Sequence, residues 1–371
     1  MKTLVVGAGP AGLSAALAMA QRGLDAKVVE LKADRATVGS ELCLMSANLR
    51  TLDALEVADA CVAAGIPITA PGRFMKANGE LLAEITPPKL TRADLPASVG
   101  IQRRALHDVL YDACRAHGVE IEHGTSIVDI QRAGGSVQAV FADGRVEDFD
   151  LIVGADGVNS AVRRIAFPDA SQPEFVGQIV WRVRVPYEGP PRLDLFAAPH
   201  AGAGFITVSK DTAYLFCLLK GDEARRLKEE DFVVEARAAF AQFGGTIGES
   251  LDSITDPSQI NYSALRPNLV TPTWYRDGVL LIGDAAHAVT PHLAHGAGLA
   301  IEDGLVLGEE LHRHGNVEAA SSAFMKRRFD RCAFAVETTV KLSRLQQDSP
   351  FPTPEQSQIT HAGLQRLAEP I

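Results

Sequence analysis

The chain has 371 residues, of which 46% are hydrophobic and 22% are charged, and its formal net charge is −10. This length and composition are typical of a globular protein with two domains. The negative charge disfavours a nucleic acid or an anionic membrane as the main partner, because both attract surplus Lys and Arg. The five cysteines form no C-x-x-C pair, so we expect no disulfide framework and no zinc knuckle, and a cytoplasmic location fits best.

The first thirty residues predict a strand, a glycine-rich turn, a helix and a second strand. Residues 2–6 form an apolar run, and residues 7–12 read Gly-Ala-Gly-Pro-Ala-Gly. An alanine-rich helix is expected over residues 11–21 and a strand over residues 26–29, which Glu30 closes. A strand, G-x-G-x-x-G, a helix, a strand and an acid in this order are the fingerprint of a dinucleotide-binding unit.

Each part of this fingerprint has a physical reason. Gly7 permits a tight turn, Gly9 lets the backbone approach a pyrophosphate, and Gly12 lets the helix and strand pack closely. The helix N-terminus offers free N–H groups to the phosphates, and Glu30 can accept hydrogen bonds from ribose hydroxyls. The fingerprint alone leaves open whether the dinucleotide is NAD or FAD.

A second motif lies in "DLIVGADGVNSAVRR", residues 150–164. Residues 151–153 form an apolar strand that runs into Gly-Ala-Asp-Gly, with Asp156 at the turn and Arg163 further on. Asp156 is either a functional residue or a cap on the helix that follows. The motif by itself does not distinguish these alternatives.

The middle of the chain predicts a separate β-sheet. "GRFMKANGELLAEITPP" indicates a hairpin around Asn78-Gly79, and "VGQIVWRVRVP" alternates apolar and polar residues as a half-buried strand does. "GAGFITVS" and "TAYLFCLLK" predict two more strands. One face of this sheet can line a substrate pocket or be an ordinary sheet face. The candidate pocket residues are Arg182, Arg184, Phe205, Tyr214 and Phe216.

A third motif, "LIGDAAHAVTPHLAHGAGLAIEDG", spans residues 281–304. An apolar strand over residues 279–282 ends in Gly283-Asp284, where a short acid can hold a polyol chain. Pro291 restricts the backbone, and a helix is expected to begin near Gly296 and Gly298. We expect no metal at this motif, because its histidines have neither H-E-x-x-H nor zinc-site spacing. These histidines are His287, His292 and His295.

The three motifs together resemble those of the single-component FAD-dependent aromatic hydroxylases, the para-hydroxybenzoate hydroxylase-like flavoprotein monooxygenases. The resemblance runs from residue 2 to about residue 347 and implies an α/β fold. A discontinuous Rossmann-like FAD-binding domain (GR2-type) would comprise residues 1–69, 96–174 and 266–310. A mainly antiparallel β-sheet substrate domain would be inserted as residues 70–95 and 175–265, and residues 311–371 would form C-terminal helices.

The resemblance also implies roles for individual residues. The expected FAD-binding residues are Gly7, Gly9, Ala11, Gly12, Glu30, Leu31, Arg103, Ile127, Asp156, Gly283, Asp284, His295, Gly296, Ala297 and Gly298. Pro291 and His292 are the candidates at the catalytic centre, and Cys43, Arg182 and Tyr214 are those for substrate contact. Of these, Cys43 can equally be a buried small hydrophobe.

The activity implied is hydroxylation of a small aromatic or N-heteroaromatic substrate with NADH or NADPH as electron donor. Oxygen would add to the flavin as a C4a-hydroperoxide, and a monomer or homodimer is expected. Three alternatives remain at this point: an NAD-dependent dehydrogenase, an FAD-dependent reductase or ubiquinone-pathway enzyme, and a flavin-bound sensor.

Two segments depart from the family pattern. Relatives commonly have Gly-Ala-Gly-Ile where this chain has Gly39-Ser40-Glu41-Leu42, so that Glu41 replaces a glycine near the flavin. In the loop that begins at Pro291, Ala294 and His295 replace the Gly and Gln of many relatives. The change at Glu41 predicts a different backbone freedom or local charge near the flavin.

Overall fold

The structure is a computed structural model, and it describes residues 1–34, 41–133, 136–225, 227–349 and 352–371. Gly39 and Ser40, which belong to the first departure from the family pattern, lie outside the described residues. The strands, in chain order, are β1 (Lys2–Val6), β2 (Asp25–Glu30), β3 (Leu42–Met45), β4 (Ile66–Pro67), β5 (Gly72–Lys76), β6 (Leu81–Ile85), β7 (Ser98–Ile101), β8 (Glu120–His123), β9 (Ile127–Ala133), β10 (Ser136–Phe141), β11 (Val146–Phe149), β12 (Leu151–Gly154), β13 (Gln178–Pro186), β14 (Leu193–Ala198), β15 (Ala201–Thr207), β16 (Thr212–Lys220), β17 (Ile260–Ala264), β18 (Tyr275–Arg276) and β19 (Val279–Leu281).

The helices connect these strands and form the C-terminal region. They are α1 (Pro10–Ala20), α2 (Ser46–Ala54), α3 (Ala58–Ala64), α4 (Arg103–Ala116), α5 (Ala161–Ala166), α6 (Phe232–Phe240), α7 (Gly245–Ser250), α8 (Asp284–His287), α9 (Gly296–His314), α10 (Val317–Asp348) and α11 (Pro354–Ala368). No helix within the described ranges combines the length and the apolar character that crossing a membrane requires.

A parallel sheet forms the first domain, in the order β18-β19-β12-β1-β2-β8, and only the short β18 is antiparallel. Its central strands β1 and β12 are buried, as their unbroken apolar runs predict. Helix α1 packs against α9, and a Cβ on Gly304 would lie only 2.5 Å from the backbone nitrogen of Ala15. The glycine therefore lets the two helices approach closely. The carboxyl ends of β1, β12 and β19 meet at one edge of this sheet.

The second sheet has the order β17-β13-β16-β15-β14-β5-β6 and is antiparallel except for the β14–β5 pair. All its strands come from the two segments predicted for the substrate domain, and the hairpin at Asn78-Gly79 is confirmed. One face packs against α6 through Trp181, Phe205 and Phe240. The opposite face is turned toward the first domain. The expected fold of a Rossmann-like domain, an antiparallel sheet and C-terminal helices is confirmed.

Candidate cofactor and substrate site

The glycines of the first motif have different surroundings. Gly7 has a φ of +109°, and a Cβ there would lie 2.5 Å from the carbonyl oxygen of Ala155. A Cβ on Gly12 would overlap the carbonyl oxygen of Gly7, whereas a Cβ on Gly9 would meet no atom within 4 Å. Gly7 and Gly12 are thus required by packing, and Gly9 faces open space where a pyrophosphate could approach the backbone.

In the second motif, Asp156 binds the start of its own helix. Its carboxylate accepts hydrogen bonds from Ser160 Oγ at 2.5 Å, Ala161 N at 2.6 Å and Val162 N at 3.1 Å. Ser160 is the N-cap of α5 and accepts from Arg163 N at 2.8 Å. The structure therefore gives Asp156 the capping role that the sequence left open, and its contact with a cofactor stays a prediction.

The third motif packs against the other two. Gly283 has a φ of +59°, and a Cβ there would lie 2.9 Å from the Cβ of Ala11 in the first motif. The buried Arg163 of the second motif donates from Nη1 to the carbonyl oxygen of Ala285 at 2.9 Å. The three distant motifs therefore converge at one edge of the parallel sheet.

The helices that begin at these motifs differ in how their N-termini are satisfied. No side chain caps α1, whose N-cap is Gly9, or α9, whose N-cap is His295. In contrast, Asp156 and Ser160 occupy the N-terminus of α5. The first turn of α9, residues 296–298, contains the predicted Gly296, Ala297 and Gly298. Two open helix N-termini are thus available to stabilise negative charge on a cofactor.

Asp284 and Arg103 are close enough to influence each other's pKa. Asp284 is accessible to solvent, but the protein around it limits the hydration of its carboxyl group and raises the pKa, with His287 and Arg103 partly offsetting the rise. Burial lowers the pKa of the Arg103 guanidinium, while the charge of Asp284 raises it. Arg103 Nε is buried and has no hydrogen-bond partner among the described residues. An accessible acid beside an unpaired buried donor fits a cleft that a polar ligand fills.

The predicted adenine and ribose end lies beside the end of β2. The Glu30 carboxylate accepts from Ala8 N at 2.9 Å and from Lys32 N at 3.0 Å. The backbone of Thr125 donates to the Glu30 carbonyl oxygen at 3.1 Å, which brings the start of β9 and the buried Ile127 next to this strand. Leu31 is 73% exposed here. The residues predicted to bind FAD therefore share one edge of the first domain.

The loop after α8 contains the candidate catalytic residues. Pro291 begins a short 3₁₀ turn, and Ala294 has a left-handed φ of +50°. That conformation explains why glycine is common at this position, since a residue with a Cβ pays about 1–2 kcal/mol for it. His292 Nδ1 lies 2.8 Å from Thr290 Oγ1, and Nε2 lies 3.1 Å from Gln346 Oε1. Burial lowers the pKa of His292 to about 4, so its ring is neutral at pH 7.

Arg182 and Tyr214 lie on the face of the second sheet that is turned toward the first domain, and Cys43, in β3, packs against that face. Tyr214 belongs to an apolar cluster against which Cys43 and Phe216 pack. Burial raises the pKa of Cys43 to about 12, so it is a neutral thiol. Arg182 stands directly opposite Phe216 in the β13–β16 pairing and donates to Ser263 Oγ at 2.8 Å.

Phe205 is not part of this surface, and of the two alternatives left open by the sequence it takes that of an ordinary sheet face. It is 0% exposed and lies in the core between the sheet and α6, with its ring centroid 4.9 Å from that of Tyr187. Its position in β15 places it on the opposite face from Tyr214 and Phe216. The alternation of a strand defines two faces, but it does not reveal which face a neighbouring domain covers.

The replacement of a glycine by Glu41 has a structural counterpart. The buried Glu41 carboxylate accepts from Arg103 N at 2.9 Å at the start of α4, and it lies 3.8 Å from Arg184 Nε. Burial raises its pKa, and the hydrogen bond from Arg103 opposes that rise. Sequence reasoning noticed Glu41 but missed this role, as well as the contact between His292 and Gln346. Neither contact has a local sequence signal.

One group among the described residues approaches the spacing of metal ligands, namely His287, Asp303 and Cys332. Arg328 lies among them and donates to Asp303 Oδ1 at 2.7 Å and to Cys332 Sγ at 3.4 Å. A guanidinium thus supplies the positive charge that a metal ion would otherwise bring. His292 and His295 do not belong to this group.

A Rossmann-like domain with three converging motifs and a separate antiparallel sheet is typical of the FAD-dependent aromatic hydroxylases. Residues 1–340 match the model of the family described as FAD binding domain, and the chain belongs to that family. It is 31% identical over 317 residues to 2-heptyl-3-hydroxy-4(1H)-quinolone synthase of Pseudomonas aeruginosa, which covers 83% of this chain and 80% of that protein. It is 28% identical over 342 residues to 3-hydroxybenzoate 6-hydroxylase 1 of Aquipseudomonas alcaligenes, covering 89% and 85%.

Solved structures show the same fold. The chain superposes on Klebsiella pneumoniae HpxO complexed with FAD and uric acid with a TM-score of 0.81 and 22% identity, covering 100% of this chain and 93% of that one. The expectation of an FAD-dependent monooxygenase of the aromatic hydroxylase type is confirmed by the family and its relatives. The alternatives of a dehydrogenase and a ubiquinone-pathway reductase do not fit these matches.

Proposed function

We propose that the chain hydroxylates a small aromatic or N-heteroaromatic ring that carries an anionic group, with NADH or NADPH and O2 as co-substrates. The observation that carries the proposal is the half-buried guanidinium of Arg182. It faces the cleft side of the second sheet, and within the described residues it has a hydroxyl, Ser263 Oγ, but no carboxylate as partner. Its charge is also near enough to lower the pKa of Arg103. A carboxylate or phenolate would supply the missing counter-charge.

The apolar surroundings of Arg182 support an aromatic substrate. Tyr214, Phe216 and Cys43 pack into a largely apolar wall, in which Cys43 is a neutral thiol and against which a planar ring can pack. Some relatives are named for urate, 3-hydroxybenzoate and 6-hydroxynicotinate, which are planar rings that form anions. We propose a substrate with this shared chemistry, a planar ring that forms an anion, and not any one of these compounds.

The residues present fit FAD, which when bound supplies the electron transfer and oxygen chemistry. The open N-terminus of α1 at Gly9 would take the pyrophosphate, and Asp284 would accept hydrogen bonds from the ribityl hydroxyls. The open N-terminus of α9 would stabilise negative charge on the ring system. The apolar wall would keep water out of the cleft. A cytoplasmic monomer or homodimer remains part of this proposal.

The test is NADH and NADPH oxidation by the purified FAD-loaded protein, with hydrogen peroxide and hydroxylated product measured together. The panel would pair hydroxybenzoates and hydroxypyridine carboxylates with neutral phenols of the same ring size. We expect the anionic rings to stimulate oxidation more strongly than their neutral partners. If no ring compound stimulates oxidation and yields product, the proposed hydroxylation is wrong.

Arg182→Gln tests the anchor separately. Loss of a charge-assisted hydrogen bond costs about 1.5–3 kcal/mol, so KM for an anionic ring should rise about 10–100-fold while KM for a neutral phenol changes little. Lys210→Gln is the control for the loss of a positive charge on the same sheet, because Lys210 is exposed in the turn between β15 and β16. Equal effects of the two variants, or equal effects on both kinds of ring, would remove Arg182 from the substrate site.

A further inference from the structure

A series of side-chain hydrogen bonds joins the loop after α8 to the second sheet and to α10. It begins at His292 Nε2, which lies 3.1 Å from Gln346 Oε1. The same oxygen accepts from Gln178 Nε2 at 2.9 Å, and Gln178 Oε1 accepts from Ser343 Oγ at 2.6 Å. Gln178 and Ser343 are both 0% exposed, so water does not compete for these bonds.

Two backbone carbonyl groups at the Gln347 end of this hydrogen-bond series determine which group donates and which accepts in each bond. Gln347 Nε2 donates to the carbonyl oxygens of Val176 at 3.0 Å and Ser343 at 3.2 Å, which accept only. The amide nitrogen of Gln347 also lies 3.4 Å from Ser343 Oγ, which leaves the Ser343 hydroxyl proton for Gln178. Gln178 then presents its NH2 group to Gln346, whose amide oxygen faces the histidine. Amide orientations are normally assigned from such networks.

The tautomer of His292 follows from this direction. Gln346 offers an acceptor to Nε2, so the proton of the neutral ring is on Nε2 and Nδ1 is the acceptor. Thr290 Oγ1 lies 2.8 Å from Nδ1 and 3.0 Å from the carbonyl oxygen of Thr339, and it has one proton for these two acceptors. With the ring proton on Nε2, that hydroxyl proton goes to Nδ1. Both ring nitrogens are therefore used within the protein. A ring with both nitrogens bonded in this way is more suited to a fixed structural position than to removing a proton from a substrate.

Gln346 reaches His292 only because β15 has a glycine in its path. A Cβ on Gly202 would overlap the amide nitrogen of Gln346. Gly202 lies opposite Leu218 in the β15–β16 pairing, on the same face as Phe216 and Tyr214. The end of α10 thus closes over the sheet face that carries the candidate substrate residues.

We propose that Gln346, oriented by Gln178, is the positioning residue of His292 and holds its ring with the proton on Nε2. In this way the substrate sheet and α10 fix the Pro291–Leu293 turn that lies next to the open N-terminus of α9. Lys341 and Glu355, charged residues on the two helices packed against this turn, pair with each other at 3.1 Å. The groups that touch the ring of His292, Thr290 and Gln346, are uncharged. The kinetic consequence rests on the proposed hydroxylation, whereas the state of the ring does not.

The first test follows the ring directly in the FAD-loaded protein labelled with 13C- and 15N-histidine. Ten histidines are present, and the signal of His292 is assigned by its loss in His292→Gln. We expect the Nε2–H tautomer and a titration midpoint near 4 in the unaltered protein. Gln346→Glu places a carboxylate on Nε2–H, and since a close opposite charge shifts a pKa by about 1–3, the midpoint should rise to between about 5 and 7.

Further variants separate positioning from a general effect on stability. Gln346→Leu removes the acceptor, and Gly202→Ala displaces it, so both should shift the ring toward the Nδ1–H tautomer. Ser343→Ala acts one bond further away and should produce the same shift to a smaller degree. Gln242→Glu is the control for an added negative charge, since Gln242 is exposed and follows α6 on the far side of the second sheet. It should leave the signal of His292 unchanged.

Two results would overturn the proposal. One is the Nδ1–H tautomer of His292 in the unaltered protein, because Gln346 would then not present its amide oxygen to a protonated Nε2. The other is a titration midpoint of His292 in Gln346→Glu that equals its midpoint in the Gln242→Glu control. In turnover with a stimulating substrate, Gln346→Leu should release several-fold more peroxide per NAD(P)H oxidised. If no substrate is found, the proposed function fails, but the titration still decides the role of Gln346.

Discussion

Replacing Arg328 by methionine tests whether a buried charge cluster supports the cofactor edge of the first domain. Arg328 is fully buried and donates to Asp303 Oδ1 and Glu302 Oε2, both at 2.7 Å. The other oxygen of Asp303 accepts from the backbone nitrogen of Gly283 at 2.8 Å. Asp303 therefore connects the guanidinium to the Gly-Asp turn of the third motif. Loss of the guanidinium should affect both folding and FAD binding.

The size of the effect follows from the bonds that are lost and those that remain. Two charge-assisted hydrogen bonds at about 1.5–3 kcal/mol each give roughly 3–6 kcal/mol. Glu302 keeps Arg331 at 2.8 Å, and Asp303 keeps His287 at 2.6 Å, so neither acid is left without a cation. We therefore expect the lower end, about 3 kcal/mol of unfolding free energy, since methionine fills most of the volume.

Urea unfolding of the FAD-free protein measures this loss, and fluorescence titration with FAD measures the accompanying loss of affinity. Lys341→Met is the control on the same helix, because Lys341 and its partner Glu355 are 57% and 56% exposed. Such a surface pair contributes about 0–1 kcal/mol. If Arg328→Met and Lys341→Met destabilise the protein equally, or if FAD affinity is unchanged, the cluster does not support the third motif as argued.

Three further changes give expected outcomes at separate parts of the site. Asp284→Asn should weaken FAD binding about 10–100-fold, because it replaces the exposed charged acceptor expected for the ribityl hydroxyls by a neutral amide. Gly204→Ala would overlap the ring of Phe216, so KM for the ring substrate should rise while the Kd for FAD stays the same. The third change concerns His287. Burial opposes protonation of the His287 ring, but the contact of the ring with Asp303 raises the pKa of His287 well above the ordinary value. Its stabilising charge is thus fully present below about pH 6.5 and lost as the pH rises through the folded pKa. In urea unfolding, His287→Gln should therefore cost more at pH 6 than at pH 10, and an equal cost would contradict this assignment.

The features that the sequence predicted correctly depend on local patterns. The strand over residues 2–6, the turn at Gly7 and the hairpin at Asn78-Gly79 are all confirmed, and each is encoded by a few neighbouring residues. The Gly-Asp turn at Gly283 follows from a short apolar strand in the same way. Such patterns act through backbone sterics and strand periodicity, which adjacent residues suffice to determine.

The contacts that sequence reasoning missed connect residues far apart in the chain. Arg163 is 122 residues from Ala285, and His292 is 54 residues from Gln346. Nothing in either pair shows the other partner until the sheets and α10 are in place. The alternatives that the sequence left open for Phe205 have the same origin, because only the position of α6 decides which face of the second sheet is core.

Several energetically unfavourable groups are concentrated at the cofactor edge. Burial disfavours the ionised form of Asp284, Arg103 Nε lacks a partner among the described residues, and Ala294 has a left-handed backbone. Each of these features costs folding free energy while the cleft holds only water, and each would be offset by a ligand that accepts from the guanidinium and donates to the carboxylate. Packing alone gives no reason to retain them together. Their concentration at the ends of β1, β12 and β19 is explained if FAD binding and the stability of this edge are thermodynamically linked, so that the cofactor completes the fold there.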